Sequence, residues 1–392
     1  MSNQLQSKIP QLDGFRALAI LLVINFHFAV YIKFLPAYNS ITGSGWIGVS
    51  LFFMLSSFLL ILPYIEHALS DLPVPSYKNF YRNRILRIFP LYFFSMICFL
   101  IIHSIIGKTS LDGYDLVRHV FFLHNFQENH SAINPPYWSL AVEIHFYLLC
   151  PLIGLMVYKL IYRRKIKLLV MILSVFIILS IGYRIYITQF YKGYETSMYT
   201  RLIYASTLAN FEAFVFGILN SLFYALVIKR QIISKLSKLL AAFSIPLLLI
   251  GLYILMDYLF VNTGGVLDKT LMQNFCYTLL YLLFSGFITA SFLSGNSIWN
   301  KILGSKIALY LSAISFSLYI WHYWMYAWMH EMLLYAGITP GSMFNYINLA
   351  LASLLTLLIS HLTYYYFELP ILRLKKGHSL DLSKSKLEKR RT

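Results

Sequence analysis

Charged and titratable side chains that fall inside apolar stretches are the first places to look for chemistry in this sequence. Arg16 and His27 stand eleven residues apart in the first such stretch. At about 100° per residue that spacing closes to within about 20°, so on a helix both side chains share one face, roughly 16 Å apart along the axis. A guanidinium near one membrane surface with an imidazole deeper and in line suits an elongated anionic ligand, phosphates at the mouth and a reactive carbonyl at depth. The other reading of the pair is a snorkelling Arg and a packed core His. Glu143 lies about one turn inside the run that follows Pro135-Pro136-Tyr137-Trp138-Ser139, with Ser139 four residues before it. Its carboxylate either orients an imidazole, acts itself as acid or base, or serves as the structural partner of a buried cation. Arg201 and Glu212 repeat the eleven-residue spacing and read first as a structural network. Arg84 and Arg87, three apart, either grip phosphate in forked geometry or mark the cytoplasmic side against lipid headgroups. His322, flanked by Trp321 and Trp324, is a second site residue or an interface residue.

The elements that must hold these side chains follow from composition. Of 392 residues, 59% are apolar and 12% charged. The charged share is about half the ~25% of soluble domains, too little to clothe a water-exposed surface, so the class is integral membrane. Spanning takes about 20 residues per helix. Ten candidates lie near 14–33, 46–65, 88–107, 138–158, 168–190, 200–228, 239–261, 271–294, 307–330 and 345–368. The expected fold is all-α, a polytopic membrane helical bundle of about ten transmembrane helices. Residues 1–376 form the membrane domain and 377–392 a basic cytoplasmic tail. The first apolar stretch carries Arg16 and His27 and is too polar for a cleavable signal peptide. Cys98, Cys150 and Cys276 are scattered through apolar runs as small fillers, without metal spacing.

The net charge of +17 would suit nucleic acid until its placement is considered. With the N-terminus inside, 24 of the 32 Lys and Arg fall in inside breaks or the C-terminal tail, and five in outside breaks. That asymmetry predicts both termini cytoplasmic. Membrane orientation and anionic lipid account for the cations, and no nucleic-acid partner is expected.

Six blocks in order resemble the acyltransferase 3 family, membrane enzymes that move acyl groups, commonly acetyl, onto carbohydrates and other hydroxyl acceptors. They are Leu12-Asp13-Gly14-Phe15-Arg16 through His27; Gly48 through Leu59; Arg84-Ile85-Leu86-Arg87-Ile88-Phe89-Pro90; Trp138-Ser139-Leu140-Ala141-Val142-Glu143; Ser317-Leu318-Tyr319-Ile320-Trp321-His322; and Phe367-Glu368-Leu369-Pro370. Departures include Ser57 and Ala17 where the family favours Gly, Ile144 where a second acid is frequent, and Trp324 where proline is frequent. The short tail resembles the stand-alone class, without the extracytoplasmic esterase-like domain of some members.

The resemblance implies an acyl donor such as acetyl-coenzyme A presented from the cytoplasm, a carbohydrate or lipid-linked glycan acceptor, and a bacterial inner (cytoplasmic) membrane location. No metal is expected. In this reading His27 is the general base toward the acceptor hydroxyl, or a nucleophile acylated first. Arg16 holds a donor phosphate or stabilises the oxyanion, and Glu143 orients the site. Candidate substrate-binding residues are Arg84, Arg87, Trp138, Ser139, His322, Arg201 and Glu212. A polytopic transporter or flippase of a sugar or lipid-linked intermediate is the alternative, and a non-catalytic membrane scaffold a third.

Overall fold

The computed structural model describes residues 9–29, 41–105, 113–126, 133–190, 200–228, 234–263, 271–338 and 341–374. The expected tail, 377–392, lies outside them. Every regular element among the described residues is helical. This is what hydrocarbon demands of a spanning chain without a closed barrel, because each backbone N–H and C=O must find its partner within the segment. In chain order the helices are α1 (Pro10–Ala29), α2 (Ile47–Leu69), α3 (Tyr77–Ile105), α4 (Gly113–Val120), α5 (Tyr137–Tyr162), α6 (Ile166–Phe190), α7 (Thr207–Phe223), α8 (Lys235–Thr263), α9 (Leu271–Leu293), α10 (Ile298–Leu303), α11 (Lys306–Ala313), α12 (Ser315–Tyr335) and α13 (Ser342–Thr363). π-helical turns flank α7 at Thr200–Tyr204 and Tyr224–Ile228, and another, Tyr364–Glu368, continues α13.

Among the described residues, nine helical segments are long and apolar enough to cross a membrane. The expected span at 307–330 is instead divided at Ile314 into α11 and α12. The 21 residues of α12 reach far enough to span, but three Trp, four Tyr and two His lower their hydropathy. The basic block expected in a break before residue 88 is helical, because α3 begins at Tyr77. Ser76, after Pro73 and Pro75, caps it by accepting from the Asn79 backbone N–H at 3.4 Å. The span expected at 200–228 is not one regular helix. A π-turn and a break at Ala205–Ser206 precede α7, so the same-face argument for Arg201 and Glu212 loses its continuous 3.6-residue register.

The helices fall into two compact units. In the first, holding α1, α2 and α5–α11, α2 is central and packs against both α1 and α7. Of its apolar stretch 78% is buried, against 17% for α6, which leaves most of α6 for lipid. Small residues set these approaches, as in other membrane helix pairs. A Cβ on Gly48 of α2 would strike the Ala19 carbonyl of α1, and one on Gly14 of α1 the backbone of Leu303 in α10. Ser57, which stands where the family favours Gly, fits because Gly217 of α7 faces it without a Cβ, and its hydroxyl donates to the Met54 carbonyl at 3.0 Å.

The second unit holds α3, α4, α12 and α13. Its core is aromatic. Phe99 of α3 meets the rings of Tyr137, Trp321, Trp324 and Trp328. Three hydrogen bonds stitch residues 133–136 to α12: Asn134 to the Ile320 carbonyl, Tyr319 to that of Pro136, and the Trp324 indole to that of Ile133.

Candidate active site

The site expected on α1 keeps its register, since α1 runs unbroken from Pro10 to Ala29. Its first turn is held by Asp13, whose carboxylate accepts from Ser312 of α11 at 3.2 Å, and Asp13 also complements the positive end of the helix dipole. Arg16 and His27 are both half-buried. Near its far end, the His27 Nδ1 lies 3.0 Å from the Val23 carbonyl of the previous turn. A carbonyl only accepts, so Nδ1 carries the proton, and the neutral ring then bears its basic lone pair on Nε2.

Glycine contacts set the register of α2 against α1. Gly45 approaches Leu22 and Phe26, while Gly48 approaches Ala19 and Val23, so the two run antiparallel.

Ser56 is where Glu143 enters. The Ser56 hydroxyl donates to the Glu143 carboxylate at 2.6 Å and lies 2.9 Å from the Tyr147 hydroxyl. With its one proton spent on the carboxylate, Ser56 accepts from Tyr147. The result is a directed chain, Tyr147 to Ser56 to Glu143. Glu143 itself is half-buried. Ser139, its expected i,i+4 neighbour, is buried. Trp138 is buried beside Tyr204 (4.3 Å between ring centroids) and Phe53 (6.2 Å). Neither Ser56 nor Tyr147 was singled out from the sequence. Tyr147 was within reach as the i+4 neighbour of Glu143, whereas Ser56 lies 87 residues away and needed the fold.

Glu212 has a different environment. Arg184 of α6 meets it at 2.5 Å, and both side chains are fully buried. The guanidinium also donates to the carbonyls of Ala209 and Asn274 and to the Thr278 hydroxyl, and lies 5.3 Å from the centroid of the Tyr277 ring. The cation beside Glu212 is Arg184; the Arg201 side chain lies outside the described residues.

In the second unit three motif blocks meet. Arg87 of α3 faces Glu368 at 3.9 Å, and Ser317 of α12 donates to the same carboxylate at 3.3 Å. Arg84, one turn before Arg87, is half-buried. His322 is fully buried, with Nδ1 donating to the carbonyls of Tyr319 (2.9 Å) and Leu318 (3.2 Å). The six blocks thus divide three and three, the first, second and fourth in one unit, the third, fifth and sixth in the other.

A family model described as an acyltransferase domain matches residues 9–365. The chain belongs to the acyltransferase 3 family. It is 27% identical over 387 residues to the O-acetyltransferase OatA of Staphylococcus aureus, covering 94% of this chain and 58% of that protein. It is 28% identical over 343 residues to ORF330 of Acidianus two-tailed virus, provisionally named an acetyltransferase, covering 87% and 88% of the two chains. It is 24% identical over 385 residues to YrhL of Bacillus subtilis, provisionally named a peptidoglycan O-acetyltransferase, covering 93% of this chain and 55% of that protein. The chain thus spans little more than half the length of the two bacterial relatives. No solved structure matches it significantly. Within the acyltransferase 3 family, the motif glycines Gly14 and Gly48 acquire a packing reason here, since each sits where a helix is approached too closely for a side chain.

Proposed function

We propose that this chain is an integral membrane O-acyltransferase of a bacterial inner membrane, moving acetyl from acetyl-coenzyme A to a hydroxyl of a carbohydrate or lipid-linked glycan. Family membership and relatives named as O-acetyltransferases support the reaction class. The observation that carries the mechanism is the His27 Nδ1 bond to the Val23 carbonyl, which leaves Nε2 as the basic atom. In this reading Nε2 takes the proton of the acceptor hydroxyl as its oxygen attacks the thioester carbonyl. The tetrahedral intermediate collapses, the C–S bond breaks, and the imidazolium returns its proton to the departing thiolate. The carbohydrate gains the acetyl group and coenzyme A leaves as the thiol.

Arg16, roughly 16 Å along the same face, holds a donor phosphate. Glu143, held by Ser56, orients the site. Arg84 and Arg87 dock coenzyme A, Arg87 shared with Glu368. Trp138, Ser139, His322, Arg201 and Glu212 remain candidate substrate contacts, with the burial of Glu212 against Arg184 favouring a structural role there. Donor presentation from the cytoplasm, with both chain termini on that side, rests on the excess of Lys and Arg in alternate breaks.

The test uses radiolabelled acetyl-coenzyme A with purified wild type and His27→Ala in the presence of glycan acceptor. A positioned general base contributes about 10²–10⁴-fold, so the variant should transfer label that much more slowly while melting within a few degrees of wild type. Near-wild-type transfer by His27→Ala would remove His27 from the mechanism, whether as base or as acylated nucleophile.

A further inference from the structure

The turn between α5 and α6 forms a groove that the proposed reaction does not use. Its volume is about 470 Å³. Leu152 and Met156 of α5 line one side, Leu168 and Ile172 of α6 the other, and Lys159, Arg163 and Lys165 stand at its mouth. All three cations are exposed.

The backbone at this turn concentrates the charge. The Lys165 N–H reaches the Leu160 carbonyl at 2.8 Å and the Arg164 N–H that of Ile161 at 2.8 Å, the paired bonds that close a helix through a left-handed residue. That residue is Arg164, at φ 57°. Glycine fills such a position without steric cost. Here the chain carries Arg instead, within Arg163-Arg164-Lys165, so cationic side chains run without interruption around the connection.

We infer that the α5–α6 groove is a binding site for an anionic phospholipid. An acyl chain lies between the Leu152/Met156 and Leu168/Ile172 walls, and the headgroup phosphate rests on Lys159, Arg163 and Lys165. The chemistry selects for both parts of such a molecule. A free phosphate has no use for the apolar walls, and a zwitterionic lipid offers its own cation against three fixed ones. Each basic residue near a membrane surface contributes about a fivefold gain for anionic lipid, so three together supply on the order of 100-fold.

The experiment is native mass spectrometry of the detergent-purified full chain with phosphatidylglycerol or phosphatidylcholine of identical acyl chains, paired with thermal shift in inorganic phosphate. Wild type should retain phosphatidylglycerol, release phosphatidylcholine, and show no stabilisation by phosphate alone. Lys159→Gln/Arg163→Gln/Lys165→Gln should lose about 100-fold in apparent affinity for phosphatidylglycerol. Met156→Trp, which keeps every charge and fills the apolar wall, should weaken retention at least tenfold and keeps the test decisive if the triple variant fails to fold. Lys238→Gln/Lys301→Gln/Lys306→Gln, an equal loss of charge elsewhere in the first unit, should bind as wild type does. Equal retention of the two lipids, equal loss in the control triple, full retention by Met156→Trp, or stabilisation by phosphate matching that by lipid would each overturn the site.

Discussion

Two glutamates in the first unit occupy opposite kinds of surroundings. Glu212 is sealed against Arg184, with both side chains inaccessible and the guanidinium further occupied by the Ala209 and Asn274 carbonyls and Thr278. Glu143 is half-buried and held by a hydroxyl, Ser56, that in turn accepts from Tyr147. A buried carboxylate matched by a full positive charge is committed to the fold, because separating the pair strands a charge in low dielectric. A carboxylate steadied by neutral hydroxyls keeps its charge available to whatever enters beside it. The difference supports the proposal that Glu143 serves the site and Glu212 the architecture, although both appear in the sequence as an acid inside an apolar run.

Breaking the sealed pair gives the largest effect. Arg184→Leu should destabilise by about 3–5 kcal/mol, because Glu212 is left buried without its cation. The double variant Arg184→Leu/Glu212→Leu should recover most of that loss, since apolar replacement of a whole buried pair is close to neutral. Thermal melts in detergent report both. A double variant as unstable as the single one would mean that the surrounding carbonyls and hydroxyls, rather than the ion pair, carry the stability.

Glu143→Gln inverts the pattern. The amide oxygen still accepts from Ser56, so stability should change by about 1 kcal/mol or less. Acetyl transfer should nevertheless fall by at least tenfold, as expected when about 1.4 kcal/mol or more of transition-state stabilisation is lost. A melting loss as large as that of Arg184→Leu, with normal transfer in the folded fraction, would place Glu143 with Glu212 after all.

Ser56→Ala is the mildest test. It removes the hydroxyl between Tyr147 and Glu143 and should cost about 1 kcal/mol of stability. If Ser56 only positions the carboxylate, KM for acetyl-coenzyme A should rise more than kcat falls, and Ser56→Thr should restore the wild-type ratio. A fall in kcat alone would move Ser56 from a positioning role into the chemistry.

The helical class, the membrane setting and most of the spans were legible because they depend on composition and on a local 3.6-residue period. The Arg16–His27 register was legible for the same reason, as α1 has no interruption between them. Legibility failed where that period was broken. The π-turn before α7 undoes the spacing of Arg201 and Glu212, and the stop at Ile314 divides the expected ninth span. It also failed for the basic block, which composition marked as a break although Ser76 caps a helix that carries it.

By itself, the sequence determined that this chain is a helical membrane protein, that Arg16 and His27 share one face of α1, and which six blocks carry the family likeness. Only the tertiary structure decided partners. It set Ser56 of α2 against Glu143 and Arg184 of α6 against Glu212, and grouped the six blocks in threes. The physical reason is that a helix fixes the direction of its side chains within its own few turns, whereas what each meets depends on how closely and in what register another helix approaches. Gly48 allows such an approach between α1 and α2, and Gly217 between α7 and α2, through atoms they lack.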